Sequence, residues 1–488
     1  MKFFKYLTLL FVSATVLTSC SKDEDDIANP KPSTGGEMSL ELEIKDFVWE
    51  GMNEIYLYKS DIPELRDSFD DDQNSYFDYL NQFESPEDLF YDGLVANQDR
   101  FSFIVDDYVE LENNFAGISK TTGMNFRLSY EPNSSSELFG FVRYVSPNTP
   151  AKDAGITRGT LFSSINGEQL TLSNYQNLLN AETYVLGLAK LEGDNIIDTG
   201  ETVEVSKIEY TSNPVFIAKT IETNGIKVGY LMYNSYTADF DDELNAAFAD
   251  FKAANISELV LDLRYNGGGS VESSVDLASM ITGQFEGEVF AQQQWNQKYQ
   301  NYFLNNNPDR LYDYFNTEIR TGEKINSLNL TKVYIIGTGS TASASELTIN
   351  GLRPYIDVVH VGTNTVGKFQ ASVTLYDSPN FGKDNANPDH KYAIQPLVYK
   401  SENANGVSDF VDGLTPDIVV QESIRNYGVL GDPNEKLLAA ALADINGNRR
   451  AIQFEGPYLK EVTESGADQL DYQRMYIDDV PQLKRNDQ

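Results

Sequence analysis

Three segments of this chain hold residues that could do chemistry together. Gly339-Ser340-Thr341-Ala342-Ser343-Ala344-Ser345-Glu346 stands between an apolar strand ending near Ile336 and a helical pattern that follows it. A small-residue turn opening a helix exposes a serine hydroxyl well, and the following N–H groups and positive helix end favour developing negative charge. Serine and threonine are also ordinary helix N-caps, so this segment by itself reads first as capping. Leu261-Asp262-Leu263-Arg264-Tyr265-Asn266-Gly267-Gly268-Gly269 is a buried strand ending in three glycines. Such an end lets backbone N–H groups approach a ligand closely and would supply half of an oxyanion hole. Val366-Gly367-Lys368 follows an apolar strand over 358–362. A lone lysine is ordinarily solvated surface, but a serine nucleophile needs a base. The two histidines offer little: His360 lies inside that apolar strand, where a packed histidine is expected, and His390 lies in the polar stretch 384–391, which reads as surface.

The elements that must position these residues are legible from their periods. From residue 226 strands and helices alternate: strands over 228–233, 259–263, 333–336 and 358–362, helices over 240–251 and 346–352, and a closing helix over 432–445. That alternation indicates an α/β sheet domain. The Asn- and Tyr-rich run 284–330 inside it reads as a lid or an insertion. Between 119 and 212 the period changes to short strands with glycine turns. Gly123-Met124-Asn125-Phe126 opens a strand, residues 141–145 form another, and Pro150-Ala151, Gly155, Arg158-Gly159 and Asn166-Gly167 mark successive turns. From 40 to 118, Leu40, Ile44, Phe47, Val48, Met52 and Ile55 make a helical stripe, and Ser85-Pro86-Glu87-Asp88 starts a further helix.

Taken in order, these pieces resemble the tail-specific, or C-terminal processing, serine peptidases of family S41. There a PDZ domain precedes a D-L-R-x-N-x-G-G strand end, then S-A-S-E opening a helix, then G-K. Here Ser343-Ala344-Ser345-Glu346 and Gly367-Lys368 match with a separation of 25 residues between Ser343 and Lys368, and Gly413-Leu414-Thr415-Pro416-Asp417 resembles the family's G-x-x-P-D segment. The likeness runs over roughly residues 110–445. It implies a multidomain α+β fold: a helical unit over 40–118, a PDZ-like β-rich domain over 119–212, an α/β (crotonase/ClpP-like) peptidase domain over 213–447 and a polar tail over 448–488. It also implies Ser343 as nucleophile, Lys368 as general base, and an oxyanion hole from Ala344 and Gly268 or Gly269. Gly123, Met124, Asn125 and Phe126 would present N–H groups to a peptide's C-terminal carboxylate in a strand-addition groove. Many members carry Gln four residues after the lysine, where this chain has Ser372. Gln370 could serve instead, Ser372 could substitute, or the dyad could work without that partner.

The implied reaction is hydrolysis of polypeptides captured by their C-termini, through an acyl-enzyme. A catalytically inactive peptide-binding lipoprotein is the alternative. A serine hydrolase acting on a non-peptide ester or amide is a third. Neutral lysine is the energetic requirement: moving an amine from pKa about 10.4 to near 7 takes roughly 4–5 kcal/mol of bias against its charged form. Lys368 should therefore be buried and without a carboxylate partner. No cofactor or metal is implied. The stretch 191–198 reads as a polar hairpin and 444–448 as a helix end rather than as metal loops.

Composition narrows the rest. The formal charge of −37 removes the broad basic field that nucleic acid would require. Residues 41–118 carry 21 Asp+Glu against 4 Lys+Arg, whereas 331–372 carry 2 against 3, so the acidity lies away from the expected base. A single cysteine excludes an intramolecular disulfide framework and a Cys-rich zinc site. That cysteine, Cys20, closes Leu17-Thr18-Ser19-Cys20 after a short basic and apolar leader, which resembles a bacterial lipobox. Residues 1–20 are expected to be a lipoprotein signal and 21–39 a solvated tether. Membrane contact would then be through the lipid on Cys20 in the cell envelope, at the outer membrane. The acidic cluster after Cys20 resembles signals that export some lipoproteins to the cell surface.

Overall fold

The computed structural model describes residues 38–132, 134–449 and 459–483. The chain divides after Ser39. Cys20, the expected signal and nearly all of the expected tether lie outside the described residues.

The helical stripe at the start becomes α1 (Leu40–Ile55), which buries Ile44, Phe47, Val48, Trp49, Met52 and Ile55. Leu40 itself stays exposed. A second helix, α2 (Gln73–Leu80), is N-capped by Asp72, and the chain then passes through a short capped turn at Ser85 and a helical segment over Leu89–Leu94. This unit has no core of its own. Its apolar residues join one cluster with Leu231, Leu261, Ile335 and Ile394. The packing is close: a Cβ placed on Gly51 would lie 2.8 Å from Ile394 Cδ1.

The β-rich domain is an antiparallel sheet built from β1 (Met124–Tyr130), β2 (Leu138–Val145), β3 (Leu161–Ile165), β4 (Thr183–Glu192) and β5 (Asn195–Ser206) in that spatial order. A short helix, Tyr175–Asn180, packs Tyr175, Leu178 and Leu179 on its core.

The α/β domain opens with the hairpin β6 (Val215–Thr223) and β7 (Ile226–Tyr233). Its turn places Asn224 and Gly225 at positive φ, as a tight two-residue hairpin needs. Then follow α3 (Asp241–Ala254), β8 (Glu258–Asp262), α4 (Val271–Thr282), β9 (Val289–Trp295), β10 (Lys332–Gly337), α5 (Ala344–Leu352) and β11 (Asp357–Gly362). Beyond them lie β12 (Gln370–Val373), β13 (Leu397–Asn403), β14 (Ile418–Val419) and α6 (Lys436–Ile445). The central sheet has the order β6-β7-β8-β10-β11-β14 and is parallel from β7 onward. A parallel sheet is covered on both faces, which explains its unbroken apolar strands. Leu231, Leu259, Leu261, Val333 and Ile335 face α3, α4 and α5, whereas Tyr230, Met232, Val260, Ile336 and Val361 face α6.

One reading is sharpened and one corrected. Residues 284–330 are packed in place, with β9 and the helix Gln297–Asn306 burying Trp295, Tyr299 and Phe303 in the main core. The described part of 448–488 is not a free tail. Glu461–Glu464 pairs antiparallel with the edge of β1, and Met475–Ile477 lies parallel between Gly269–Ser270 and β12. Its few apolar side chains give no periodic signal, yet they suffice for docking: Tyr476 stacks on Phe115 with ring centroids 4.0 Å apart.

Candidate active site

Ser343 sits at the corner where β10 turns into α5, with φ 66° and ψ −119°. A non-glycine residue there costs about 1–3 kcal/mol and persists only where surrounding contacts enforce it. Those contacts run along the turn. Ala342 N–H and Ser345 Oγ both donate to Asn266 O, at 3.1 Å each. Thr341 Oγ1 donates to Leu263 O at 2.7 Å. Ser343 is fully buried, and its Oγ has no hydrogen-bond partner among the described residues. It occupies the N-cap position in a capping-box arrangement with Glu346, in which the Ser343 N–H to Glu346 Oε2 bond is well formed and the hydroxyl makes no cap hydrogen bond of standard geometry.

Lys368 lies two residues before β12, also fully buried, and its Nζ likewise has no partner among the described residues. An aromatic face lies beside it: Nζ stands 5.0 Å from the ring centroid of Phe101, supplied by the N-terminal unit. Burial drives the amine's pKa well below that of an ordinary lysine, and the Arg474 guanidinium lowers it further, against opposing pulls from Asp99 and Glu346. The sequence-based requirement of a buried lysine free of carboxylate contact is therefore met. Gly367 has to be glycine here, since its φ is +92° and a Cβ would lie 2.4 Å from Val411 O.

One carboxylate ties the two segments together. Glu346 Oε2 accepts from Ser343 N–H at 2.8 Å and from Lys368 N–H at 2.9 Å. Its Oε1 accepts from Gly367 N–H at 2.7 Å and Thr365 Oγ1 at 2.5 Å. Burial raises the Glu346 pKa, and all four of these hydrogen bonds pull it back toward the ionised form.

The remaining expected site residues fall out differently. Gly268 does stand beside the serine: φ is +109°, and a Cβ on it would lie 2.5 Å from Ser343 Cβ and 3.0 Å from Ala344 N. Its N–H, however, donates to Asn266 Oδ1 at 2.8 Å, and the Gly269 N–H donates to Arg474 O at 2.7 Å. Ala344, as the first residue of α5, keeps the free N–H of an opening helical turn. Neither expected orienting group reaches the amine. Gln370 Nε2 donates to Tyr58 Oη at 3.1 Å, and Ser372 Oγ donates to Met475 O at 3.1 Å. In the expected carboxylate nest, Gly123 N–H is held by Thr121 Oγ1, Met124 N–H by Thr122 Oγ1 and Phe126 N–H by Ser465 Oγ. Asn125 Oδ1 is turned to Arg143 Nε at 2.6 Å. His360 is packed inside β11, as expected, while His390 is more sheltered than its polar surroundings imply and pairs with Asp377 at 2.9 Å. Among the described residues no group of three or more His, Cys, Asp or Glu side chains is arranged to hold a metal ion.

Comparison with known proteins settles the relationship. The family model for peptidase family S41 matches residues 227–420, and the model for the S41 N-terminal domain matches residues 43–103. Together they cover just over half of the chain. The chain belongs to peptidase family S41. A carboxyl-terminal-processing protease of Picosynechococcus is 26% identical over 245 residues, covering 50% of this chain and 51% of the relative. The chloroplastic C-terminal processing peptidase of Tetradesmus obliquus is 23% identical over 317 residues, covering 62% of this chain and 61% of the relative. The chain thus spans about half to three fifths of the length of these curated relatives. A crystal structure of a Bacteroides fragilis protein named as an S41 protease superposes with TM-score 0.64 at 28% identity, over 83% of this chain and 98% of that one. The architecture of this chain is therefore the S41 peptidase fold with its N-terminal domain.

Four further residues shape this S41 site although the sequence assigned none of them a role. Glu346 carried the motif but no assigned role. Phe101 comes from a unit with no chemical motif, and Arg474 from the supposed tail. Arg264 is wholly buried and pairs with Asp262 and Glu435, at 2.7 and 2.8 Å, pinning the glycine turn to the start of α6. A charged network also links the turn to the β-rich domain. Glu464 accepts from Ser340 Oγ at 2.7 Å and from Arg127 at 2.9 Å, and pairs with Arg143 as well. Nothing in the periodicity of these stretches could reveal such contacts, which join residues hundreds of positions apart.

Proposed function

We propose that this S41 chain is a serine endopeptidase that hydrolyses polypeptides through a Ser343–Lys368 dyad. One observation carries the reading. Ser343 Oγ and Lys368 Nζ are both buried and unpartnered among the described residues, while the backbones beneath them are held by the same Glu346 oxygen. The names of the curated relatives, C-terminal processing proteases, favour peptide bonds as the substrate.

The chemistry follows from the groups. Neutral Lys368 takes the proton of Ser343 Oγ as the oxygen attacks the carbonyl carbon. The tetrahedral oxyanion is held by Ala344 N–H and by Gly268 N–H once Asn266 releases it. Collapse expels the amine, which leaves with the proton from Lys368. A water molecule, deprotonated by the same lysine, then opens the acyl-enzyme and returns the serine. The β-rich domain acts as a PDZ-like module that captures the C-terminal tail, beside a groove of about 940 Å3 lined by Met124, Tyr175, Glu182 and Thr463. The lipid on Cys20 would hold the enzyme at the outer membrane of the cell envelope.

The deciding experiment compares the parent with Ser343→Ala and Lys368→Ala on an unstructured protein substrate. Each variant is expected to lose about a thousandfold or more in kcat/KM. Equal rates in all three proteins would end the reading.

A further inference from the structure

The C-terminal segment lies where a bound peptide tail would lie. Glu461–Glu464 runs antiparallel to β1, with Glu461 opposite Ser129 and Glu464 opposite Arg127. The pairing extends past both ends: Tyr130 N–H donates to Lys460 O at 2.9 Å, and Ser465 N–H donates to Phe126 O at 2.8 Å. Val462 packs into the same cluster as Tyr175, Leu178 and Leu179 of the flanking helix. This is strand addition to an exposed sheet edge, with an apolar side chain seated between strand and helix. The direction is also that of a captured tail, since the segment's C-terminal end points toward the 123–126 turn.

At that end stands a carboxylate site. Glu464 is buried and held by Arg127, Arg143, Ser340 Oγ and Tyr472 Oη. Two guanidinium groups closing on one carboxylate at the end of an added strand suit a free peptide C-terminus. Beyond Glu464 the chain borders a cavity of about 330 Å3 that reaches from Asn125 and Arg143 to Gly267 and Gly268. It then lands on the glycine turn. Gln473 N lies 3.2 Å from where a Gly267 Cβ would be, Arg474 O takes the Gly269 N–H, and Met475 pairs with Gly269. Ser343 and Lys368 are both 0% exposed. A peptide carbonyl has to come within about 3–3.5 Å of the hydroxyl to react, so something covering the turn has to move.

We propose that the β1 edge, taken above as the groove for a polypeptide's C-terminal tail, is occupied in the resting chain by its own Glu461–Ser465, with Arg127 and Arg143 holding Glu464 where a tail carboxylate would sit. An incoming tail displaces that segment, which draws Gln473 and Arg474 off the glycine turn and opens the way to Ser343. The inference deepens the peptidase reading and rests on it for the identity of the ligand.

A reversible lock tests it. Ser129→Cys and Glu461→Cys, introduced into the full chain carrying Cys20→Ser, place two thiols on directly paired residues. The reduced form is the folded control for the oxidised one. The probe is a dye-labelled peptide of sequence 459–464 with a free carboxylate, compared with its C-terminal amide by anisotropy. A serine-directed fluorophosphonate reads access to Ser343, and casein reads cleavage. The reduced protein is expected to bind the acid about tenfold tighter than the amide, a preference that Arg127→Gln removes. Oxidation is expected to cut both peptide binding and fluorophosphonate labelling by about tenfold or more. Equal binding and labelling in the two redox states overturn the inference, as does equal affinity for acid and amide. Cleavage of casein at equal rates in both states overturns it while leaving the peptidase reading intact. Redox-dependent binding and labelling without casein cleavage in either state sustains the tail site and removes the peptidase reading.

Discussion

At the scale of single residues, the proposed dyad requires a neutral amine, and burial shifts Lys368 toward that state. Burial holds the Lys368 pKa below the ordinary lysine value, so the unfolded chain binds a proton that the folded chain refuses. Stability then rises with pH between the depressed folded value and about 10.4, the unfolded value. Lys368→Met removes that penalty. It should abolish activity yet unfold at higher urea than the parent at pH 7, with the advantage shrinking toward pH 10. A variant less stable than the parent at pH 7 would contradict a neutral buried amine. Phe101 walls the amine, so Phe101→Ala should hydrate it and raise its pKa. Because the proposed base would work deprotonated, the rising limb of the pH–rate profile should move to higher pH. A limb left in place would show that Phe101 does not set the amine's environment.

At the scale of elements, Glu346 joins the start of α5 to the segment entering β12. Each of its oxygens faces two donors, three of the four being backbone N–H groups. Glutamine is a poor substitute, since its NH2 would face two of those donors. Glu346→Gln should lower stability by about 2–4 kcal/mol. Fluorophosphonate labelling of Ser343 should slow together with kcat, while KM changes little. A fall in stability with unchanged labelling would reduce Glu346 to a purely structural role. The motif containing Glu346 was legible from its order and spacing. Its function was not, because the partner backbones come from a loop about twenty residues away and carry no side-chain signature of the contact.

At the scale of the whole molecule, the acidic helical unit and the peptidase domain share one apolar cluster. Leu57 N–H even donates to Leu397 O at 2.8 Å. The unit should therefore not melt or be released separately. Thermal unfolding followed by near-UV signals from Trp49, in the unit, and Trp295, in the peptidase domain, should give one coincident transition, checked with Trp49→Phe and Trp295→Phe variants. Two separated transitions would establish an independent domain. Residues 41–118 hold −17 of the formal charge of −37, with Glu41, Glu50, Asp71 and Asp72 exposed, while Lys368 faces the Phe101 ring and feels the Arg474 guanidinium against Asp99 and Glu346.

The amino-acid sequence by itself indicated the succession of helical, β-rich and α/β stretches, the serine at a strand-to-helix corner and the lysine that follows it. These rest on local signals: apolar period, glycine turns and residue spacing along one stretch of chain. Only the tertiary structure decided that Glu346 anchors both segments, that Phe101 and Arg474 form the lysine's surroundings, and that Glu461–Glu464 completes the β-rich sheet rather than trailing as a tail. Each of those is a contact between residues far apart in the chain. Such a contact is selected by the closure of the whole fold, because a strand edge or a buried amine accepts whichever distant segment fits its hydrogen bonds and its volume.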